Sequence, residues 1–261
     1  MVNIAQTIPE EFWEKLRVAE RRILMLDYDG TLAPFQEKRM EARPSDRTYE
    51  VLKRICLSPH NHVVIVSGRP ATEVRELLKG IEVDIYGAHG FEFLQRDCEL
   101  KSFELSDRDQ KGLNKARKNA DTSGLTDYLE VKPASLALHV RGLDYAKASA
   151  IKNLAREIFA PNARSFDLEC REFDGGIELR SKEFHKGKVV ESMLSENGSD
   201  SFVVYIGDDD TDEDAFETLK INGYGIRVGN ADGKSIADWR LNDIDAVERF
   251  LERWLEIIEA A

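Results

Sequence analysis

Two kinds of apolar pattern alternate along the chain. Short, mainly apolar runs (ILMLD at 23–27, VVIV within HVVIVSG at 62–68, VDIYG at 83–87, and FVVYIG within SFVVYIGDDD at 201–210) read as strands, the first two buried on both faces. Between them lie segments whose apolar residues recur every three or four positions, the signature of amphipathic helices. The first, 9–21, carries Phe12, Trp13, Leu16 and Ala19 on one stripe. The second, 45–56, opens on a Ser-Asp cap, and the third, 70–79, opens on proline, a residue suited to a first helical turn. Further helices are predicted over 186–196, 211–220 and 243–258, with a short strand at 224–229. Strand, helix, strand, helix, strand with short links predicts a parallel sheet with crossover helices.

The middle of the chain has another rhythm. A basic helix is predicted over 109–120 and a strong helix over 144–160, whose Ala148, Ile151, Leu154, Ala155 and Ile158 share a face. Segments 128–133 and 135–142 predict two strands joined by a tight turn at Pro133, with Leu136, Leu138 and Val140 alternating. Segments 164–173 and 175–181 predict a second strand pair. Alternation of this kind describes a sheet with one wet face. The expected fold is therefore α/β: a Rossmann-like parallel-sheet core formed by 1–105 and 182–261, with an α+β cap inserted at 106–181. No internal repeat or low-complexity segment interrupts it.

Composition narrows the function. With 42% hydrophobic residues the chain can bury a substantial core. Its formal net charge is -12, and it has no basic stripe with interleaved aromatics, so neither nucleic acid nor an anionic membrane is an expected partner. The three cysteines, Cys56, Cys98 and Cys170, lie far apart and give neither a disulfide framework nor a zinc pattern, which favours a reducing, cytoplasmic setting. The first 16 residues lack the basic start and apolar stretch of a signal peptide, and no apolar run approaches the ~20 residues of a membrane-spanning helix.

The candidate chemistry sits where strands end. Ligands of open parallel sheets bind outside the carboxyl ends of the strands. The first predicted strand ends on Asp27 and Asp29, the second on Ser67, Gly68 and Arg69, and the strand at 201–207 on Asp208, Asp209 and Asp210; Lys186-Gly187 opens a helix just before that last strand. Carboxylates this close repel one another unless a cation sits among them. A hard dication such as Mg²⁺ takes oxygen ligands, often one or two carboxylates together with a substrate phosphate. One aspartate can then attack phosphorus and form an aspartyl-phosphate, and the other can protonate the departing oxygen. Ser67 can donate to the phosphoryl oxygens and Lys186 can supply a point charge. Gly68 and Arg69 are expected to line the substrate. The helix predicted from Thr211 would add N–H groups and a positive dipole end.

DYDGTL, VIVSGR, HKG and YIGDDDTDEDAF, in that order, resemble the four motifs of the haloacid dehalogenase superfamily. The longer stretches LDYDGTLAPF, YGAHGFE, LEVKPASLALHVRG, GIELRSKEFHKG and GDDDTDEDAF resemble the trehalose-6-phosphate phosphatases within it. The resemblance implies that Asp27 is the nucleophile and Asp29 the general acid/base. It makes Ser67 the phosphate-binding serine, Lys186 the motif lysine and Asp208 the metal aspartate. Asp27, Asp29 and Asp208 would hold Mg²⁺, Asp29 through its backbone carbonyl, with Asp212 as a supporting acid. The inserted domain matches the family's larger cap type, which closes over small sugar-like phosphates. Lys132, His139, Arg141 and Glu178 are the cap residues expected to grip the disaccharide, and a trehalose-6-phosphate synthase is the partner the resemblance suggests. One departure stands out: where the family often has proline after ELR, this chain runs Ser181-Lys182-Glu183 before His185-Lys186-Gly187.

Plainer readings stand beside these. Asp27 and Asp29 could cap a turn, Lys188 could replace Lys186, and Asp209 and Asp210 could simply start a helix. His60 and His62 suit a solvated turn better than a metal pair, His89 either approaches the site or bonds its own loop, and His139 fits the wet face of a sheet. Three other functions stay open: a sugar phosphatase for mannosyl- or glucosyl-3-phosphoglycerate or sucrose phosphate, a non-catalytic sugar-phosphate-sensing domain, and a phosphomutase, which would have to return a bound phosphate to the sugar.

Overall fold

The computed structural model describes residues 8–96, 99–173, 175–198, 200–229 and 234–260; Cys98 and the first seven residues lie outside them. In chain order the elements are α1 (Glu10–Val18), β1 (Arg22–Leu26), α2 (Asp46–Leu57), β2 (Asn61–Val66), α3 (Ala71–Leu77), β3 (Asp84–Gly87), β4 (Glu92–Leu94) and β5 (Leu100–Ser102). Then come α4 (Asp107–Thr122), β6 (Leu129–Lys132), β7 (Ser135–His139), α5 (Tyr145–Phe166), β8 (Leu168–Phe173) and β9 (Gly176–Ser181). The chain closes with α6 (Lys186–Asn197), β10 (Phe202–Gly207), α7 (Glu213–Leu219), β11 (Tyr224–Val228), β12 (Trp239–Leu241) and α8 (Ile244–Glu259). It divides into two compact units, Met1–Lys101 with His185–Ala261, and Ser102–Phe184.

The first unit is built on a sheet in the order β12-β11-β10-β1-β2-β3-β4-β5. Strands β12 through β3 run parallel, and β4 folds back antiparallel on β3. Strand β1 sits between β10 and β2, with every one of its residues buried. Successive side chains alternate faces. Leu24, Leu26, Val63, Ile65, Val204 and Ile206 therefore pack on one side with α1, α2 and α8, and Ile23, Met25, Val64, Val203 and Tyr205 on the other with Val189, Val190 and Phe216 of α6 and α7. Both layers exclude water, so strand periodicity dissolves into continuous apolar runs, as the sequence suggested.

Register then fixes the site. Leu26 lies level with Ile206 on one side and Ile65 on the other. One step further along come Asp27, Gly207 and Val66, and the step after that brings Asp208 and Ser67 to the same carboxyl rim. Period-two alternation sends Asp27 to the face of Met25 and Tyr205, which is the face covered by α6 and α7.

The second unit is a four-stranded antiparallel sheet, β6-β7-β9-β8. Leu136, Leu138, Ile177, Leu179 and Leu168 pack on Leu113, Ala116, Ile151, Ala155 and Phe159 of α4 and α5. The opposite face carries Glu130, Lys132, Ser135, Glu169, Arg171, Glu178 and Arg180, directly paired across strands. Helix α5 outruns its prediction. It passes through Pro161 to Phe166, which removes residues 164–166 from the expected strand. Proline lacks the N–H that would continue the ladder. The Asn162 amide nevertheless donates to the Ile158 carbonyl at 2.8 Å, tying the turn together at that point.

Candidate active site

Four side chains meet in the interior at the ends of β1 and β10. The Lys186 ammonium, almost wholly buried, donates to Asp27 Oδ1 at 2.8 Å and to Asp212 Oδ1 at 2.7 Å. Tyr205, from within β10, donates its hydroxyl to the same Asp212 Oδ1 at 2.6 Å, and the Asp209 N–H donates to Asp212 Oδ2 at 2.9 Å. Asp27, Asp208 and Asp212 each offer an oxygen within 4.8 Å of the others. Asp212 thus accepts protein donors on both oxygens and acts as a buried anchor for Lys186. Asp27 and Asp208 keep capacity for an added ligand.

Electrostatics give the same division. Burial alone would push the Lys186 ammonium towards neutrality, but the carboxylates of Asp212 and Asp27 more than offset it, so it holds its proton more tightly than a free lysine. Burial holds the Asp27 carboxyl well above the ordinary range in spite of that ammonium, with Asp212 and Asp208 pushing the same way. Asp208 is pushed up to about 7, by burial first and by the charge of Asp212 second. Three acids thus share one buried cation, which leaves a deficit of positive charge. Oxygen-only donors short of positive charge fit a hard dication such as Mg²⁺. Asp27 and Asp208 are the carboxylates placed to hold it.

The backbone is fitted to this cluster. Gly30 has φ +77, and a Cβ built there would lie 2.0 Å from Asp208 Oδ2. Its N–H donates to the Ala33 carbonyl at 2.8 Å, closing the turn that follows β1. Gly30→Ala is expected to displace Asp208 and to strain the turn by ~1–2 kcal/mol. A lower melting temperature by circular dichroism is the expected result; an unchanged value would show that Asp208 has room to spare. A cleft of about 690 Å³, within the size range of small-molecule sites, adjoins Gly30 and Asp208 and is also lined by Phe35, Arg43, Val228 and Ile244.

The other sequence-predicted residues fall as follows. Ser67 is buried at the end of β2, and its hydroxyl oxygen accepts the Arg69 N–H at 3.1 Å, leaving its own proton free to donate. Gly68 lies under the His89 ring: a Cβ there would meet the imidazole at 2.8 Å. His89 itself holds a left-handed backbone (φ 59), next to Ala88 (φ 47). Lys188, the alternative to Lys186, is exposed and pairs with Glu191 at 2.6 Å. Asp29 is not part of the carboxylate cluster. Both of its oxygens accept from the Arg69 guanidinium at 2.6 Å.

The helix expected from Thr211 is a 3-10 turn, Asp210–Asp212, leading into α7 at Glu213. Asp209 caps it: its carboxylate accepts the Asp210 N–H at 2.7 Å, and Asp212 accepts the Asp209 N–H in return. Those two N–H groups are therefore spent within the turn itself. His62 pairs with Asp84 at 2.7 Å, a structural contact between β2 and β3.

In the second unit, Lys132 donates to Glu178 Oε1 at 3.3 Å and the Ser135 hydroxyl donates to the same oxygen at 2.6 Å. His139 shares a hydrogen bond with Glu130 at 2.8 Å and meets Phe173 edge-on. Arg141 follows the end of β7, beyond His139, with its side chain beside Gly175. Tyr205 and the Asp29–Arg69 pair were missed from sequence, the first because its strand reads as uninterrupted core.

A family model described as trehalose-phosphatase matches residues 25–245. The bifunctional trehalose-6-phosphate synthase/phosphatase of Thermoproteus tenax is 31% identical over 237 residues, covering 90% of this chain and 32% of that protein. The trehalose-phosphatase of Saccharomyces cerevisiae is 26% identical over 272 residues, covering 88% of this chain and 30% of that protein. The chain thus spans about a third of the length of these relatives. Among solved structures, the C-terminal domain of Candida albicans trehalose-6-phosphate phosphatase superposes with a TM-score of 0.82 at 22% identity, over 98% of this chain and 99% of that one.

Proposed function

Because the chain belongs to the trehalose-phosphatase family, we propose that it hydrolyses trehalose 6-phosphate to trehalose and phosphate through an aspartyl-phosphate on Asp27. The observation that carries this reading is the buried Asp27–Lys186–Asp212 network, with Asp208 beside it, at the ends of two adjacent parallel strands. Lys186 engages Asp27 Oδ1 and fixes the carboxylate, leaving Oδ2 to attack phosphorus. The bond from phosphorus to the sugar oxygen breaks, and Asp29 gives that oxygen its proton. Asp29 then takes a proton from water, which attacks phosphorus, breaks the bond to Asp27 and releases inorganic phosphate. Ser67 donates its hydroxyl proton to a phosphoryl oxygen. Asp27 and Asp208 would hold Mg²⁺, which would neutralise phosphate charge and keep both acids ionised.

The second unit is proposed as the substrate-specificity cap. Its polar sheet face, with Lys132 and Glu178 as a preformed donor and acceptor pair, together with His139 and Arg141, suits the hydroxyls of a disaccharide. The two activities in the name of the Thermoproteus relative support a trehalose-6-phosphate synthase as the source of substrate. No helix among the described residues is long and apolar enough to cross a membrane, which accords with a proposed cytoplasmic location.

A kinetic panel tests the reading. With Mg²⁺, kcat/KM for trehalose 6-phosphate is expected to exceed that for sucrose phosphate and for mannosyl- and glucosyl-3-phosphoglycerate by at least tenfold, and EDTA should silence the reaction. Equal rates across the panel would contradict the assigned substrate.

A further inference from the structure

The bond between Asp29 and Arg69 has the form that guanidinium groups make best. Nε donates to Oδ2 and the second terminal nitrogen donates to Oδ1, each at 2.6 Å. Parallel bonds of this kind fix orientation as well as distance, which a lysine cannot do. Arg69 is itself held on several sides. Its remaining terminal nitrogen donates to the Arg39 carbonyl at 2.7 Å, its backbone N–H donates to Ser67 Oγ at 3.1 Å, and its guanidinium carbon lies 5.6 Å from the centre of the Tyr28 ring. Only 8% of the arginine side chain is exposed, against 25% of Asp29. The charge is shared with Glu73, 3.9 Å away, which also pairs with Arg39 at 2.8 Å. A rigid arginine therefore immobilises a half-open carboxylate.

We propose that Arg69 is the positioning residue of Asp29, holding its carboxylate apart from the Asp27–Asp208 pair and in a single orientation; this rests on the reading of Asp29 as the general acid/base. Asp27 and Asp29 stand one residue apart on a tight turn, so an untethered Asp29 could turn towards the same cation and lose its separate role. The loop after β2 carries Arg69, and the β1–β2 register brings that loop alongside the turn after β1. A substrate-binding arginine would present its donors to the ester. Here the two donors of the fork are committed to Asp29 and a third to a backbone carbonyl.

A double-mutant cycle of Arg69→Met, Asp29→Asn and the double variant tests this, with Arg69→Lys as the milder form. Substrates are trehalose 6-phosphate and p-nitrophenyl phosphate, whose leaving group needs no proton. General acid–base contributions run to ~10²–10⁴-fold. Arg69→Met should accordingly lower kcat for trehalose 6-phosphate by about 10²-fold, with KM shifted less than about threefold, and Arg69→Lys should restore little. In the Asp29→Asn background the same substitution should change kcat by less than about threefold, since the residue it acts through is gone. With p-nitrophenyl phosphate the first-turnover burst should stay near wild type while steady-state turnover falls. A raised KM at constant kcat, or a full Arg69 effect persisting beside Asp29→Asn, would overturn the proposal in favour of direct phosphate binding. If Arg69→Met does not fold by circular dichroism, the cycle is run with Arg69→Lys under the same criteria. A wild type that turns over p-nitrophenyl phosphate but not trehalose 6-phosphate would sink the substrate assignment alone, and the cycle on the aryl ester would still decide the role of Arg69.

Discussion

Asp27→Asn is expected to lower kcat by on the order of 10⁴-fold or more, because the attacking oxygen is lost outright. The fold should survive. Asparagine has the same shape, its amide oxygen can still accept from Lys186, and Lys186 keeps its second partner at Asp212. Burial holds the Asp27 carboxyl above its ordinary range, so the neutral side chain also removes a charge the interior resists. Circular dichroism should give a melting temperature at or above that of the wild type. Near-native turnover in this variant would remove Asp27 from the reaction.

Lys186→Met should be the most damaging single change to the folded state. It leaves Asp27 and Asp212, 4% and 0% exposed, facing each other without their cation. Breaking a buried ion pair by removing one partner costs ~3–5 kcal/mol. Urea titration without added metal should show a loss of that size, with kcat reduced at least a thousandfold. Lys188→Met, which removes an exposed surface pair, should change stability by less than ~0.5 kcal/mol.

The sign of the pH dependence follows from Asp208, pushed up to about 7 in the folded protein against ~3.9 in an unfolded chain. The folded state therefore binds this proton more tightly, and its contribution is fully present below pH ~4 and lost as pH rises through about 7. Metal-free protein should lose stability across that window. Lys186→Met should steepen the loss, because it adds unneutralised acid beside Asp208. A Lys186→Met deficit that shrinks as pH rises would contradict the charge accounting.

Much of this was legible in the residue pattern, and what escaped did so for physical reasons. Strands β1, β2 and β10 declare themselves because burial on both faces leaves apolar runs ending on polar residues, and β3 reads as a strand in spite of its buried Asp84. Strands β4, β5 and β12 span three residues each, too few for any periodicity to register. Pro161 reads as a helix stop, yet α5 continues past it. Proline was therefore a sound local signal that tertiary packing overrode.

Asp27, Lys186 and Asp208 could be placed together because parallel strands share a carboxyl rim. Residue pattern alone does not separate Asp212 from its acidic neighbours; the family resemblance singled it out, and the structure adds that it is wholly buried and bonded to Lys186, Tyr205 and the Asp209 N–H. Tyr205 looks like one more core aromatic until its hydroxyl is seen to end on Asp212. The Asp29–Arg69 pair spans 40 positions, and no local pattern announces it.

The proposed chemistry carries a phosphoryl group covalently on Asp27. Rapid acid quench during turnover of trehalose 6-phosphate with Mg²⁺, followed by borohydride reduction and peptide mapping, tests it directly. Asp27 is expected to be recovered in part as homoserine, the reduction product of an acyl phosphate, only when substrate is present. Full turnover with Asp27 unmodified at every quench time, or with the modification on another residue, would contradict it.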